Sequence, residues 1–172
     1  IMRYHGVTRA IGQLEGVDYG VNAHYPSQNF RMTETSAIIG LSQLSHLDEF
    51  VEKRNWIASK YTEKLKDVVG INLLPTNKFS VSSYWNYYFI LDLDIDRNKL
   101  SHYLHKNGIE NANAYYPTCH HHKIYKDYVL DDYPISNDIL KRHLSLPMYY
   151  ELEENSINEI IDFVKKGVEK LR

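Results

Sequence analysis

From Thr33 to Val69 the chain carries no proline and a single glycine, Gly40. Proline breaks a helix interior and glycine weakens it, so a stretch this free of both is open to one long helix. Ala37, Leu41, Leu44, Leu47, Val51, Ala58, Tyr61 and Leu65 recur mostly at spacings of three and four, the helical period. Thr33 predicts the N-cap, and Glu34 in the first turn complements the positive end of the helix dipole. A helix over this whole stretch exceeds what a compact domain requires. Either it is kinked, or it leaves one domain and enters another.

The texture differs on each side. Residues 1 to about 32 carry Gly6, Gly12, Gly16, Gly20 and Pro26 with few periodic apolar positions. They predict irregular structure with short strands that packs on something outside the chain. After Gly70, Trp85, Tyr87, Phe89, Leu91 and Leu93 alternate with Asn86, Tyr88, Ile90, Asp92 and Asp94, the period of a strand with one well-buried face. Asp96 predicts the cap of a short helix through Leu100, Tyr103 and Leu104, with Gly108 at its C′ position. A second strand fits Ile109 to Tyr115, and a third extended piece the apolar run Leu144 to Met148. The last helix is amphipathic: Ile157, Ile160, Ile161, Val164, Val168 and Leu171 form one stripe, and Lys165, Lys166, Lys170 and Arg172 crowd its final turns. Residues 70–172 thus predict a small sheet covered by helices.

Composition excludes several classes. A length of 172 residues with 43% hydrophobic and 24% charged residues suits a globular chain of one domain or one and a half. A formal charge of −2 offers no basic field for nucleic acid or an anionic membrane. The single cysteine, Cys119, precludes an internal disulfide framework and suits a reducing cytoplasm. No apolar run approaches the length of a membrane-spanning helix, and no signal peptide is visible.

Two segments could carry chemistry. Asn29 and Arg31 sit just before the predicted helix start, where an amide and a guanidinium on a stiff loop suit an anion such as phosphate. The plainer reading is a turn asparagine and a surface ion-pair arginine. Cys119-His120-His121-His122 offers zinc-, copper- or nickel-type ligands, but consecutive residues rarely aim three ligands at one point, and no metal site is expected. Asp92, Asp94 and Asp96 lack the glycine and bidentate glutamate of a calcium loop, and read as a solvated strand end followed by a helix cap.

The segment Asn29-Phe30-Arg31-Met32-Thr33-Glu34, with Ala37, Gly40, Gln43-Leu44, Leu47-Asp48 and Lys53-Arg54, resembles the DegT/DnrJ/EryC1/StrS family of sugar aminotransferases. Other pieces follow in the family's order: Arg3 with His5-Gly6, Tyr115-Tyr116-Pro117 with His120 and Tyr125, and Leu144-Ser145-Leu146-Pro147-Met148-Tyr149. Thr35-Ser36, Ile38 and Gln28 depart from the pattern at positions that affect packing more than charge. The resemblance implies the C-terminal part of a fold-type I pyridoxal-phosphate (PLP) transferase, an α/β fold. In it a long linking helix precedes a small α+β domain with a mainly antiparallel sheet. Residues 1–40 would be a remnant of the large PLP-binding domain and its dimer-contact loop, 41–69 the linking helix, and 70–172 the small domain.

The same resemblance implies a homodimer that binds PLP and passes an amino group from an amino-acid donor to a nucleotide-linked keto-sugar. Asn29 would reach the PLP phosphate of the neighbouring subunit, and Arg31 would contact it or hold the loop; each bond to such a charged group is worth roughly 1.5–3 kcal/mol. Tyr116 and His120 would line the sugar-nucleotide site, and Gly40 would permit close backbone approach at the domain or subunit contact. The family's Schiff-base lysine lies upstream of the Arg3, His5-Gly6 element, so no catalytic residue is expected in this chain, which looks like the C-terminal part of a protein about twice as long and is expected to be inactive alone. The opening Ile1-Met2-Arg3 looks cut rather than initiated. Its lysines, among them Lys53, Lys60, Lys64, Lys165 and Lys170, fall on predicted amphipathic helices, whereas a nucleophilic lysine needs burial or a cationic neighbour. Two alternatives stay open. One is a dehydratase of the same family, with histidine in place of that lysine. The other is a non-catalytic dimerisation or ligand-binding module, which would melt cooperatively on its own.

Overall fold

The computed structural model describes residue 26 and residues 30–77, 79–113, 117–129 and 131–172. The chain divides into two units, Ile1–Leu47 and Asp48–Arg172. Asn29, Tyr116 and the glycine-bearing segment before residue 26 lie outside the described residues.

In the first unit, helix α1 spans Glu34–Leu44. Thr33 caps it as expected, its Oγ1 accepting from Ser36 N at 3.2 Å. No residue of α1 is buried, and Ile38, Ile39, Leu41 and Leu44 are all exposed. The predicted long helix is in fact two, because α2 begins afresh at Leu47 and runs to Leu65. The cause is local. Ser45 Oγ donates to Ser42 O at 2.7 Å and lies 3.0 Å from His46 Nδ1, while His46 N bonds Gln43 O in a tightened turn. Serine hydroxyls that bond the nearby backbone compete with the helix ladder.

The second unit is built on a three-stranded antiparallel sheet in the order β1–β2–β3, formed by Ile71–Leu73, Tyr87–Leu91 and His143–Leu146. Its register places Leu73, Phe89 and Leu144 in one row, flanked by Ile71 with Leu91 and by Tyr87 with Leu146. This face packs into the core with Ile57, Tyr61 and Leu65 of α2 and Ile157, Ile161 and Val164 of α5 (Glu154–Leu171). The expected α5 stripe is thus the buried one, with Leu171 packed at its edge. The opposite face carries Asn72, Ile90 and His143 in one row and Tyr88 with Ser145 in the next. Helix α4, Pro134–Arg142, lies against that second face.

Helix α3, Arg97–Lys106, begins at Asp96, whose Oδ1 accepts from Asn98 N and Lys99 N at 2.8 and 3.1 Å. Gly108 follows with φ +74°, a left-handed conformation that suits glycine at a helix C′ position. Strand β2 is shorter than its alternating pattern. Trp85 and Leu93 are 65% and 84% exposed, because Tyr84 turns the chain at φ +40° and Ile95 N bonds Asp92 O to start the approach to α3. The strand expected over Ile109–Tyr115 reduces, among the described residues, to one bridge between Ala112 and Ser145. Asn111 is the reason: its Nδ2 donates to Ile109 O and Ser101 O, each at 3.2 Å, and diverts the segment from a ladder.

Candidate functional site

Site geometry begins with α4. Proline at its first position suits a helix start, and Tyr133 occupies the N-cap in a left-handed conformation at φ +47°. For a tyrosine that conformation costs on the order of 1–3 kcal/mol and persists only where packing enforces it. At the other end, Arg142 Nη1 donates to Leu91 O at 2.7 Å, and its Nε donates to Asp138 Oδ1 at 2.9 Å. The guanidinium holds the Asp138 carboxyl below the ordinary carboxylate range. Helix α4 is thereby tied to the backbone of β2.

The His-rich segment forms a 3-10 turn, Cys119–His121, after Pro117 and Thr118. His120 is half-buried while His121 and His122 are exposed. His120 Nε2 lies 2.9 Å from Asn137 Oδ1 and 3.2 Å from Thr118 Oγ1, and Thr118 Oγ1 lies 3.0 Å from His121 Nδ1. Asn137 Nδ2 in turn donates to Asp132 O at 2.6 Å. The His120 ring also meets those of Tyr133 and His121, with centroids 4.8 and 4.3 Å apart. A cleft of about 700 Å³ opens beside the turn, lined by Pro117, His121, Asp132, Pro134, Asn137 and Lys141. A smaller apolar one of about 290 Å³ runs between α4 and the sheet, touching Tyr88, Ile90, Thr118, Ile139 and His143.

The other end of this connection is pinned as well. With its amide oriented to satisfy its neighbours, Asn113 donates to His143 Nε2 at 2.9 Å and accepts from Arg97 Nη1 and Nη2 at 2.9 and 3.1 Å. His143 Nδ1 lies 3.0 Å from Ile139 O, so the imidazole donates there and accepts from Asn113. Both flanks of residues 114–116 are therefore anchored to α4 and β3.

Of the residues singled out from sequence, His120 sits in this turn in the second unit. Arg31 lies exposed in the loop before Thr33, in the first unit. Asn29 and Tyr116 fall outside the described residues. Among the described residues no group of three or more His, Cys, Asp or Glu converges as a metal site. The asparagine and the tyrosine that hold His120 had no sequence signal, since one lies on a separate helix and the other at its N-cap, in no recognised spacing.

Among the described residues, four α-helices, two 3-10 turns and a small antiparallel sheet in the second unit, preceded by α1, make an α/β chain. The architecture is that of the PLP-type aminotransferases. It superposes on Spr1654 of Streptococcus pneumoniae in its PMP form with a TM-score of 0.81, at 23% identity, over 99% of this chain and 44% of that one; the same protein is also known in a PLP form. The family model for the DegT/DnrJ/EryC1/StrS aminotransferase family matches residues 1–165, and the chain belongs to that family. It is 31% identical over 140 residues to the dTDP-4-amino-4,6-dideoxy-D-glucose transaminase of Escherichia coli, covering 78% of this chain and 38% of that protein. It is 29% identical over 178 residues to the dTDP-4-dehydro-2,3,6-trideoxy-D-glucose 4-aminotransferase of Saccharopolyspora spinosa, covering 98% and 44%. The chain thus spans less than half the length of the relatives it matches.

Arg31 offers a guanidinium of the kind that grips a phosphate. Lysines are engaged at the surface: Lys60 pairs with Glu154 at 2.7 Å, Lys64 donates to Asn158 at 2.6 Å, and Lys53 and Lys170 lie over the rings of Trp56 and Tyr103. The hydrogen bond that Lys60 donates to Glu154 raises the Lys60 pKa, opposite to what a nucleophile needs. No described helix is long and apolar enough to cross a membrane.

Proposed function

We propose that the protein carrying this chain is a PLP-dependent homodimer that aminates a nucleotide-linked keto-sugar, with an amino acid as the donor. The observation that carries this reading is the family match along residues 1–165. The bound cofactor supplies the electron sink for amino-group transfer. The chain's own residues bind and orient. Asn29 and Arg31 hold the cofactor phosphate from the neighbouring subunit, and Tyr116 and His120 contact the nucleotide-sugar. The lysine that the chemistry requires comes from outside residues 1–172.

The exposed apolar side chains of α1 support a subunit contact, and a Cβ at Gly40 would meet nothing within 4 Å among the described residues, which accords with room for a partner's backbone. In the same reading residues 1–40 belong to the large domain, 41–69 to the link, and 70–172 to the small domain. A cytoplasmic location accords with the single exposed thiol of Cys119.

The test is PLP retention by the complete protein after Asn29→Ala and Arg31→Ala, followed by absorbance of the bound cofactor during dialysis. Faster loss of PLP than in the wild type supports the assignment. Unchanged retention in both variants removes these residues from the site.

A further inference from the structure

His120 is held by an acceptor, and this settles which of its nitrogens carries the proton. Asp132 O can only accept, so the group 2.6 Å from it is the Asn137 amide nitrogen. Asn137 therefore turns its carbonyl oxygen toward His120, and at 2.9 Å that oxygen requires a proton on Nε2. In the neutral ring the proton is then absent from Nδ1, which is left as a lone-pair acceptor. Nδ1 has no hydrogen-bond partner among the described residues, whereas Nε2 has two neighbours, Asn137 and Thr118. The Tyr133 ring, 4.8 Å away and fixed by a left-handed backbone, limits rotation of the imidazole.

We propose that Asn137 is a positioning residue that locks His120 as the Nε2–H tautomer and presents Nδ1 to a ligand hydroxyl as an acceptor. This rests on the reading of His120 as a residue that contacts the nucleotide-sugar. It adds the chemistry of the contact: neutral His120 meets a hydroxyl donor of the sugar, since a diphosphate oxygen is itself an acceptor and has nothing to offer Nδ1. Asn137 touches no ligand and acts through the ring.

Two measurements on the complete protein separate the positioning role from the function. The first is the tautomer of His120, read from nitrogen–proton couplings of ¹⁵N-histidine-labelled protein at about pH 8, above the ordinary histidine range. Wild type and Asn137→Asp, which keeps an acceptor oxygen, should both show Nε2–H. Asn137→Leu should lose that preference. A wild-type Nδ1–H tautomer, or an Nε2–H signature unchanged in Asn137→Leu, overturns the proposal. Asn137→Asp also serves if the leucine variant fails to fold, because a shift of the proton to Nδ1 in it would count equally against the role.

The second measurement is the affinity for dTDP-glucose and for dTDP. Asn137→Leu and His120→Ala should each weaken dTDP-glucose roughly three- to tenfold, the worth of one neutral hydrogen bond, and leave dTDP unchanged. An equal loss for both ligands would place the contact on the nucleotide and overturn the sugar-hydroxyl assignment. If the wild-type protein binds neither ligand, the nucleotide-sugar reading falls, while the tautomer measurement still decides the role of Asn137.

Discussion

Lys60 Nζ on α2 lies 2.7 Å from Glu154 Oε1 in the first turn of α5, although 94 residues separate them. The neighbouring pair, Lys64 and Asn158, spans the same separation at 2.6 Å. Two successive turns of α2 are thus registered against the opening of α5. A glutamate at that position also complements the helix dipole.

This pair predicts a pH signature. The Lys60 hydrogen bond lowers the Glu154 pKa in the folded state, so its contribution is present above the unfolded value, about 4.3, and is lost as pH falls through the folded one. Lys60 is raised, so its contribution is present below about pH 10.4 and is lost as pH rises through its folded value. Glu154→Gln should therefore flatten the dependence of the urea midpoint at both extremes. The effect is small because the pair is solvated. Some acid sensitivity should survive through Asp138, whose carboxyl is lowered by Arg142. Curves for variant and wild type that run parallel from about pH 3 to pH 11 would show that the contact contributes nothing.

Gly167 sets how closely α3 and α5 approach. A Cβ there would stand 2.5 Å from Leu100 Cδ1 and 2.8 Å from Tyr103 Cδ1. Helix propensity alone favours alanine by roughly 0.5–1 kcal/mol. Overpacking against the fully buried Leu100 should outweigh that gain, for a net loss of about 1–2 kcal/mol in Gly167→Ala by denaturant unfolding. A stabilised variant would mean that the two helices part without cost.

Asp96 makes two hydrogen bonds to the first turn of α3, and Asp96→Ala should cost about 1 kcal/mol. Asp96→Asn should recover most of it, since an amide oxygen caps as well. Equal stability of all three proteins in urea would exclude a capping contribution.

Core and surface apolar residues should behave oppositely. Phe89 is fully buried, and Phe89→Ala should destabilise by about 3–5 kcal/mol. Ile38 and Leu41 are 68% and 69% exposed, so replacing them with serine should leave the unfolding midpoint of the isolated chain nearly unchanged. Under the proposed function the same serines should weaken self-association of the complete protein, measured by sedimentation. Unaltered association would remove this face of α1 from the subunit contact.

Much of the described secondary structure was legible from residue order. The caps at Thr33 and Asp96, the left-handed Gly108, the buried alternation Tyr87–Phe89–Leu91 and the α5 stripe each depend on neighbours within a turn or two. Helix α4 and strand β1 had no expectation in the sequence, and two further misses arose where a side chain diverted its own backbone. Ser45 ended a helix that periodicity carried through, and Asn111 turned a predicted strand into a single bridge. Of the candidate site, His120 was singled out through a family resemblance, whereas its neighbours Asn137 and Tyr133 belong to no local pattern.

Residue order by itself determined where β2, α3 and α5 would form and which face of β2 and α5 would be apolar. Those properties follow from local sterics and spacing. Only the tertiary structure decided that Asn137 would face His120 across 17 residues, that Gly167 would receive Leu100, and that Lys60 would reach Glu154. Such pairings depend on how finished helices dock over a sheet. Docking is selected by the summed fit of many side chains, and no period within a single segment encodes it.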